Sequence, residues 1–267
     1  MSDTRTVIPT DERWGGLVGY FGGFVAAVFA DAAVDPDYHL TSLSVRFRAS
    51  VEVRPMEVVA TGAHRGARTA ATTLRLVQDG RLRAEASAVL LRHDVARASF
   101  RTVAPASDEP PAEYQVRPHP AGEIAYLPAL EMRTAEHRPG AEGTRAWLRF
   151  TAPPPEFGVR SPHGAVCVLL DALFPVLFVE PDGPTFVPTL EFTYQFTPAL
   201  ADVGRRWFVG ENHLDWHTDD FCSEDATLRD AATGLVVARQ RQLRSLVRTL
   251  PGTAVQRPSY ALEGERS

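Results

Sequence analysis

The chain has 267 residues, a formal net charge of −5 and an isoelectric point near 5.9, and 44% of its residues are hydrophobic. That hydrophobic fraction excludes a wholly disordered chain. Mild acidity without a basic stripe argues against nucleic acid as a partner. Cys167 and Cys222 belong to no CxxC or zinc-binding pattern. We therefore expect free thiols, no metal site and no cofactor.

An apolar, glycine-rich stretch over residues 14–34 is long enough to raise the question of a transmembrane helix. Asp31 interrupts it, and its flanks show no Lys/Arg asymmetry. Residues 1–13 carry no secretory signal pattern. We therefore expect a buried helix in a cytoplasmic protein with no membrane partner. The absence of Lys and the abundance of Ala, Val, Gly and Pro are typical of a high-GC bacterial genome.

The first half of the chain predicts a buried helix followed by strands. The apolar helix covers residues 15–33. The strands are predicted at residues 40–53, 57–65, 70–78 and 82–92. In HLTSLSVRF, small polar and apolar side chains alternate with the period of a strand. Asp79-Gly80 between the last two strands predicts a two-residue hairpin turn.

The second half repeats this order. A strand at residues 147–151 precedes a Pro-rich break, and the apolar segment 164–179 predicts a second buried helix. Further strands are predicted at residues 189–196, 207–218, 226–230 and 235–248, with a turn at residues 231–234. The repeat predicts that the two halves fold as similar units.

A Pro-rich segment at residues 104–121 separates the halves and has the composition of a linker. We therefore predict an N-terminal unit over residues 1–103, a C-terminal unit over residues 122–250 and a flexible tail over residues 251–267. The predicted class is α+β, with two tandem units that each wrap a curved antiparallel sheet around a long helix. Joining two units in one chain would cover sheet edges that a single unit leaves open.

Three phrases, taken in order, resemble a known family. They are WGGLVGYFGG in the first helix, HLTSLSVRF leading into Arg54-Pro55, and WHTDDFCSEDATLRDAATGLVVARQRQ near the C-terminus. Over residues 13–248 the chain resembles the double-hotdog thioesterase-like superfamily, of the acyl-CoA thioesterase II type. The resemblance implies a double hotdog fold and a hydrolase that cleaves an acyl thioester with an Asp-activated water. It also implies acyl-CoA or acyl-carrier-protein thioesters as substrates and a homodimer or larger homo-oligomer.

The family pattern places its active site in the second half. There it uses an Asp on the helix, a Thr or Ser at the start of the next strand and a Gln on the last strand. The resemblance assigns these roles to Asp171 in VCVLLDALFP, Thr189 in VPTLEFTYQF and Gln242 in VVARQRQLRSL. Gln240 is the rival, two residues away on the same strand face. Because Ala88 falls about where the Gln would be in the first half, we expect one catalytic centre per chain.

These residue types suit thioester hydrolysis. An Asp on an apolar helix is desolvated, which makes it a better base, and a hydroxyl and an amide can hold it and a water. Backbone N–H groups at the start of the second helix, around His163, Gly164 and Ala165, are the expected oxyanion donors. The chain has no GxSxG, dinucleotide-binding or P-loop motif.

Other interpretations stay open. The same fold could serve a biosynthetic pathway as a carrier-protein thioesterase, dehydratase or cyclase, or bind acyl groups without catalysis. His213 and His217 are four residues apart on a predicted strand, a spacing too wide for a shared metal ion. The run Arg239, Arg241 and Arg244 is interpreted as a solvated strand face, with contact to a CoA phosphate as the alternative.

Overall fold

The computed structural model describes residues 4–94, 107–116, 124–134, 142–180 and 183–247. The predicted tail at residues 251–267 and the flanks of the predicted linker lie outside these ranges. Within them, two α-helices and twelve strands form the fold, and all the strands belong to one antiparallel sheet.

Among its described residues, the N-terminal half contains one α-helix, α1 (Gly22–Ala33), after the first of five strands. Its strands are β1 (Thr4–Ile8), β2 (Tyr38–Phe47), β3 (Met56–Arg65), β4 (Thr69–Gln78) and β5 (Arg81–Arg92). The predicted β4–β5 hairpin is confirmed, because Asp79 and Gly80 both have positive φ, at 48° and 71°. Two consecutive residues with positive φ are the signature of the type I′ turn.

The C-terminal half contains α2 (Pro162–Asp171) and seven strands. The strands are β6 (Gln115–Val116), β7 (Leu130–Thr134), β8 (Gly143–Phe150), β9 (Thr189–Phe196), β10 (Phe208–His217), β11 (Phe221–Asp230) and β12 (Val236–Ser245). Ser161 caps α2, since its Oγ accepts from the Gly164 N–H at 3.0 Å, and Pro162 occupies the first helical position.

The order of strands in the sheet is β1-β3-β4-β5-β2-β9-β12-β11-β10-β8-β7-β6. The two halves therefore meet at β2 and β9, where Leu43 pairs with Tyr194 and Val45 with Phe192. The sheet runs continuously from one half into the other, and each half contributes a helix–strand unit of the same topology. This is the double hotdog arrangement predicted from the sequence.

Matching registers relate the two halves residue by residue. The pairing of β2 with β5 skips Thr41, and the pairing of β9 with β12 skips Leu190 at the same place. When these two irregularities are aligned, Leu40 corresponds to Thr189 and Leu90 to Arg244. By the same registers, Ala88 corresponds to Gln242 and Thr72 to Glu224.

The two helices lie antiparallel against each other in the core. Gly23 near the start of α1 approaches Asp171 at the end of α2, while Gly164 near the start of α2 approaches Asp31 near the end of α1. Both helices are apolar on all sides and almost fully buried, as expected for helices enclosed by a sheet. Within the described ranges, no helix is long and apolar enough to cross a membrane.

Both helices are shorter than predicted. Residues 15–21 form a tight turn instead of helix, because Gly19 has a φ of 137° and the Phe21 N–H donates to the Trp14 carbonyl at 2.8 Å. At the other helix, α2 ends at Asp171, and Pro175 has no N–H with which to continue it. The predicted long helices are therefore corrected to 12 and 10 residues.

Several strand predictions also need correction. The strand predicted over residues 40–53 ends at Phe47, after which the N–H groups of Arg48 and Ala49 both donate to the Arg83 carbonyl. The prediction missed β1, β6 and β7, which have 5, 2 and 5 residues. Such short strands offer too little alternation to be recognised. The two residues of β6 lie inside the predicted linker.

Candidate active site

Asp171 is the last residue of α2, and its carboxylate meets the N-terminus of α1. The Gly23 N–H donates to Asp171 Oδ2 at 2.6 Å. A Cβ on Gly23 would lie 2.9 Å from the Asp171 Cβ, so a larger residue there would force a shift, and one on Gly22 would lie 3.1 Å from Oδ2. First-turn N–H groups lack partners within their helix, and the helix dipole is positive at this end. The carboxylate is therefore held where negative charge is favoured.

Gln242 connects Asp171 to Thr189. Its Nε2 donates to Asp171 Oδ1 at 3.0 Å and to Thr189 Oγ1 at 2.5 Å. Strands β9 and β12 are neighbours, which brings Thr189 and Gln242 to the same part of the sheet. The structure thus joins the three residues predicted from the family resemblance in one hydrogen-bonded group. Since the Thr189 hydroxyl accepts from Gln242, its own hydrogen remains available to another acceptor.

The rival residue Gln240 has a different partner. Its Nε2 donates to the Tyr194 hydroxyl at 3.0 Å, and its side chain is buried. It shares the buried face of β12 with Gln242, as the spacing of two residues predicts. Of the two glutamines, Gln242 is therefore the one that contacts Asp171.

A buried ion pair lies behind this group. Glu224 is 1% exposed and Arg244 is 6% exposed, and Arg244 Nε lies 2.9 Å from Glu224 Oε2. Arg244 Nη2 donates to Gln242 Oε1 at 2.6 Å and lies 3.8 Å from Asp171 Oδ1. Glu224 Oε1 also accepts from the Val176 N–H at 2.6 Å. Such partners are what allow opposite charges to persist in a protein core.

The interpretation of the Arg run as a solvated strand face holds for Arg239 and Arg241 but is wrong for Arg244. Burial alternates along β12, and Arg244 stands two residues beyond Gln242, so both side chains point to the same face. The spacing of two residues between Gln242 and Arg244 was the sequence feature that could have placed Arg244 on the buried face. Glu224 was also missed, although it lies on the buried face of β11.

Burial dominates the electrostatics of Asp171. Loss of water around the carboxylate raises its pKa above the ordinary Asp value, and the charge of Arg244 and the hydrogen bonds from Gln242 and Gly23 oppose this rise. The charge of Glu224 adds to it. A desolvated carboxylate with a raised pKa is a better proton acceptor than an exposed one.

A cavity of about 390 Å³ opens beside the carboxylate. Asp171, Thr189 and Arg244 line it, whereas Gln242 is 2% exposed and contacts Asp171 and Thr189 from behind. Aromatic side chains from both halves form much of the wall: Phe21, Phe47, Tyr126, Phe174, Phe178 and Phe186. The volume and the apolar lining are those of a small-molecule site.

The expected oxyanion donors are not brought to Asp171. His163, Gly164 and Ala165 lie at the opposite end of α2, and eight residues of helix span about 12 Å. Gly164 approaches Asp31 instead. The sequence did not reveal that the helices pack antiparallel, which brings the N-terminus of α1 to the Asp171 carboxylate.

The His163 imidazole lies among aromatic rings. Its centroid is 5.1 Å from that of His39 and 5.0 Å from that of Phe196. Burial, together with the charges of His39 and His93, lowers the pKa of His163 to about 3. The ring is therefore neutral near pH 7, which suits a packing role.

Among the described residues, no three or more His, Cys, Asp and Glu side chains are grouped so as to hold a metal ion. His213 and His217 are exposed on β10. Cys167 and Cys222 are buried free thiols, as predicted.

Comparison with known proteins agrees with this architecture. A hot dog fold protein of Alicyclobacillus acidocaldarius is 22% identical, with a TM-score of 0.76 over 92% of this chain and 94% of that one. The acyl-CoA thioesterase II TesB2 of Mycobacterium marinum is 20% identical, with a TM-score of 0.68 over 93% and 94% of the two chains. The tesB protein of Mycobacterium avium subspecies paratuberculosis is 16% identical, with a TM-score of 0.68 over 91% and 92%. No curated protein sequence matches the chain significantly.

Family models match most of the sequence. Residues 10–93 match the acyl-CoA thioesterase N-terminal domain, and residues 101–245 match the acyl-CoA thioesterase C-terminal domain. The boundary between the two matches falls between the two hotdog units. The chain therefore belongs to the acyl-CoA thioesterase family, and it is a thioester hydrolase with the double hotdog fold.

Proposed function

We propose that the protein hydrolyses acyl-CoA thioesters with a water molecule that Asp171 activates. The observation that carries this proposal is the buried Asp171 carboxylate, which lines an apolar cavity and is held by Gln242 and Gly23. Thioester hydrolysis needs a positioned water, a group that takes its proton and donors for the oxyanion. Each of these requirements has a candidate around the cavity.

Asp171 and Thr189 are the residues that would hold the water. Both line the cavity, and each retains hydrogen-bonding capacity towards it. Gln242 already donates both amide hydrogens, one to each of them, and its oxygen accepts from Arg244. Its part in the proposed reaction is therefore to position Asp171 and Thr189 and not to bind the water.

The reaction proceeds in two steps in this proposal. The water oxygen bonds to the thioester carbonyl carbon while a proton passes to Asp171, and the carbonyl oxygen becomes an oxyanion. The N-terminus of α1, with the Gly22 N–H in its first turn, supplies the positive end of a dipole for that oxyanion. Collapse of the intermediate breaks the C–S bond, and the proton held by Asp171 leaves with the thiol. The products are a carboxylic acid and a free thiol.

The cavity favours an apolar acyl group. Besides Asp171, its charged lining residues are Arg48 and Arg244, and their charges are already met by Glu85 and Glu224, respectively. Leu17 and Val18 at its edge are 47% and 52% exposed. Exposed apolar side chains next to an apolar cavity are typical of a ligand-binding surface.

Thiol release from a panel of acyl-CoAs of different chain lengths tests the proposal. Wild-type protein is expected to turn over at least one of them, and Asp171→Asn is expected to lower kcat by roughly 10²- to 10⁴-fold, the contribution of a general base. Asn keeps the size of the side chain but cannot take the proton. Folded wild-type protein that hydrolyses none of the panel, or an Asp171→Asn variant with full activity, would contradict the proposal. Acyl-carrier-protein thioesters in the same panel show whether the protein hydrolyses thioesters of CoA or of a carrier protein faster.

A further inference from the structure

The ion pair of Glu224 and Arg244 occurs in only one of the two equivalent half-sites. The equivalent residues in the N-terminal half are Thr72 and Leu90, neither of which carries a charge. Burying two charges is unfavourable unless geometry and hydrogen bonds compensate for it, and an apolar pair is often as stable. The pair therefore requires an explanation other than stability of the fold.

The contacts of Arg244 fix the orientation of the Gln242 amide. A side-chain amide has an oxygen that only accepts and a nitrogen that only donates, and a guanidinium has donors alone. Because Arg244 Nη2 lies 2.6 Å from the Gln242 side chain, the amide oxygen must face it. The amide nitrogen then faces Asp171 and Thr189, which is the orientation observed. With the amide reversed, an oxygen would face the carboxylate.

Arg244 is itself held from several sides. Glu224 meets its Nε at 2.9 Å, and its Nη1 donates to the Val187 carbonyl at 3.3 Å. Glu224 in turn accepts from the Val176 N–H. The guanidinium is thus held by Glu224 of β11 on one side of β12 and by Val187, just before β9, on the other, and Glu224 is in turn tied to the segment that follows α2.

We propose that Arg244, anchored by Glu224, is a positioning residue that fixes the Gln242 amide and places a positive charge beside the Asp171 carboxylate. This inference rests on the proposed hydrolysis at Asp171. In this proposal neither Arg244 nor Glu224 contacts the reacting atoms, so the pair affects the reaction through Gln242 and Asp171.

The titratable groups that face Asp171 are few. Arg244 and Glu224 approach it from the sheet, Cys167 lies on its own helix and Tyr194 lies on β9. Burial raises the pKa values of Cys167 and Tyr194 well above their usual ranges, so both are neutral at working pH. From α1, the Gly23 N–H is the group that contacts the carboxylate. The charges around Asp171 are therefore those of the ion pair.

The proposal is tested by replacing Glu224 and Arg244 with the residue types at the equivalent positions of the N-terminal half. The double variant Glu224→Thr/Arg244→Leu carries the residue types of Thr72 and Leu90, and it leaves neither charge buried without a partner. The matched control is Asp225→Thr/Arg241→Leu, which removes an exposed ion pair of 2.7 Å from the same two strands on the outer face. Melting temperatures establish that both variants fold.

We expect the buried double variant to lose roughly 10²-fold in kcat, as small misplacements of catalytic groups do. Its activity should also fall off at a higher pH than that of the wild type, because Arg244 lowers the pKa of Asp171 more than Glu224 raises it. The control should keep the wild-type kcat and pH profile. A folded buried variant whose kcat and pH profile match those of the control would overturn the inference.

Carboxyl ¹³C titration by NMR provides a readout that needs no turnover. The Asp171 signal is assigned by its loss in Asp171→Asn, and its midpoint is expected at a higher pH in the buried double variant than in the wild type or the control. An unchanged midpoint would overturn the inference. If the wild type hydrolyses no thioester, the proposed function fails, but the titration still decides whether the pair acts on Asp171.

Discussion

The two ends of the helix pair hold equivalent carboxylates in different surroundings. Asp171 at the end of α2 faces the N-terminus of α1, and Asp31 near the end of α1 faces the N-terminus of α2. The sheet around Asp171 contributes the polar side chains of Thr189, Gln242, Arg244 and Glu224. At the equivalent positions of the N-terminal half, the sheet carries Leu40, Ala88, Leu90 and Thr72.

The hydrogen bonds of Asp31 identify its role. Its oxygens accept from the Arg160 and Ser161 N–H groups, both at 2.8 Å, and from the Ser161 hydroxyl at 2.5 Å. These are contacts with the chain that leads into α2, so Asp31 anchors that segment. Burial raises the pKa of Asp31, as it does for Asp171.

A buried carboxylate at a helix end is therefore not sufficient for a site. Both ends of the helix pair have one, and both have a glycine opposite it. What distinguishes the Asp171 end is an amide and a hydroxyl on the facing strands and an ion pair behind them. The comparison predicts that polar residues of the sheet decide which end is active.

Among single substitutions that keep Asp171, the largest effect is expected from Gln242→Ala, which gives the Asp171 end the residue at the equivalent position of the other half, Ala88. Without the amide, Thr189 loses its hydrogen bond to Gln242 and Asp171 is held by the Gly23 N–H without Gln242, and we expect kcat to fall by roughly 10²-fold. Steady-state thiol release measures the loss.

The matched control is Gln240→Ala, on the same strand and the same buried face. It removes the partner of the Tyr194 hydroxyl, which costs about 1–3 kcal/mol of stability, but it leaves Asp171 untouched. Equal losses of activity in the two glutamine variants would refute a specific role for Gln242.

A smaller effect is expected from Gly23→Ala. The added Cβ would lie 2.9 Å from the Asp171 Cβ and must displace the carboxylate or the start of α1. We expect kcat to fall about tenfold, equivalent to about 1.4 kcal/mol.

Gly164→Ala is the equivalent change at the other end, where the Cβ would lie 2.7 Å from Asp31 Oδ1. It should lower the melting temperature and leave kcat of the folded protein close to that of the wild type. If Gly164→Ala lowered kcat as much as Gly23→Ala, the two ends would not be functionally distinct.

The smallest effect is the position of the acid limb of the pH–rate profile. Protonated Asp171 cannot accept a proton from water, so activity is lost as the pH falls through its pKa. Because burial raises that pKa, the loss should occur at a higher pH than for an exposed Asp. His163, with a pKa of about 3, should add no limb near neutrality. The acid limb should persist in Asp31→Asn. Its disappearance in that variant would show that the limb reports the titration of Asp31 and not that of Asp171.

Much of this architecture follows from the sequence. The period-2 alternation in β2 and the Asp79-Gly80 turn predict strands and a hairpin from local chemistry alone. The family resemblance added Asp171, Thr189 and Gln242, which no local pattern distinguishes from ordinary core or strand residues. The structure brings these three together.

The rest could not be read from local pattern because it depends on tertiary pairing. The antiparallel packing of the helices, which brings Gly23 to Asp171, has no signature in either helix alone. The pairing of Glu224 with Arg244 spans two strands, and a charged residue on a strand is by default solvated. Because Arg244 lies two residues beyond Gln242, the two side chains share a strand face. This spacing predicts a buried Arg244 only once Gln242 is known to face the core.

The most direct test of the account compares Asp171→Asn with Asp31→Asn on the acyl-CoA that the wild type hydrolyses fastest. Both variants lose a buried carboxylate at the end of a helix, and the melting temperature of each shows that it is folded. We predict that Asp171→Asn loses roughly 10²- to 10⁴-fold in kcat, while folded Asp31→Asn keeps most of the wild-type rate. Equal losses in the two variants, or a loss confined to Asp31→Asn, would contradict the assignment of a single active end.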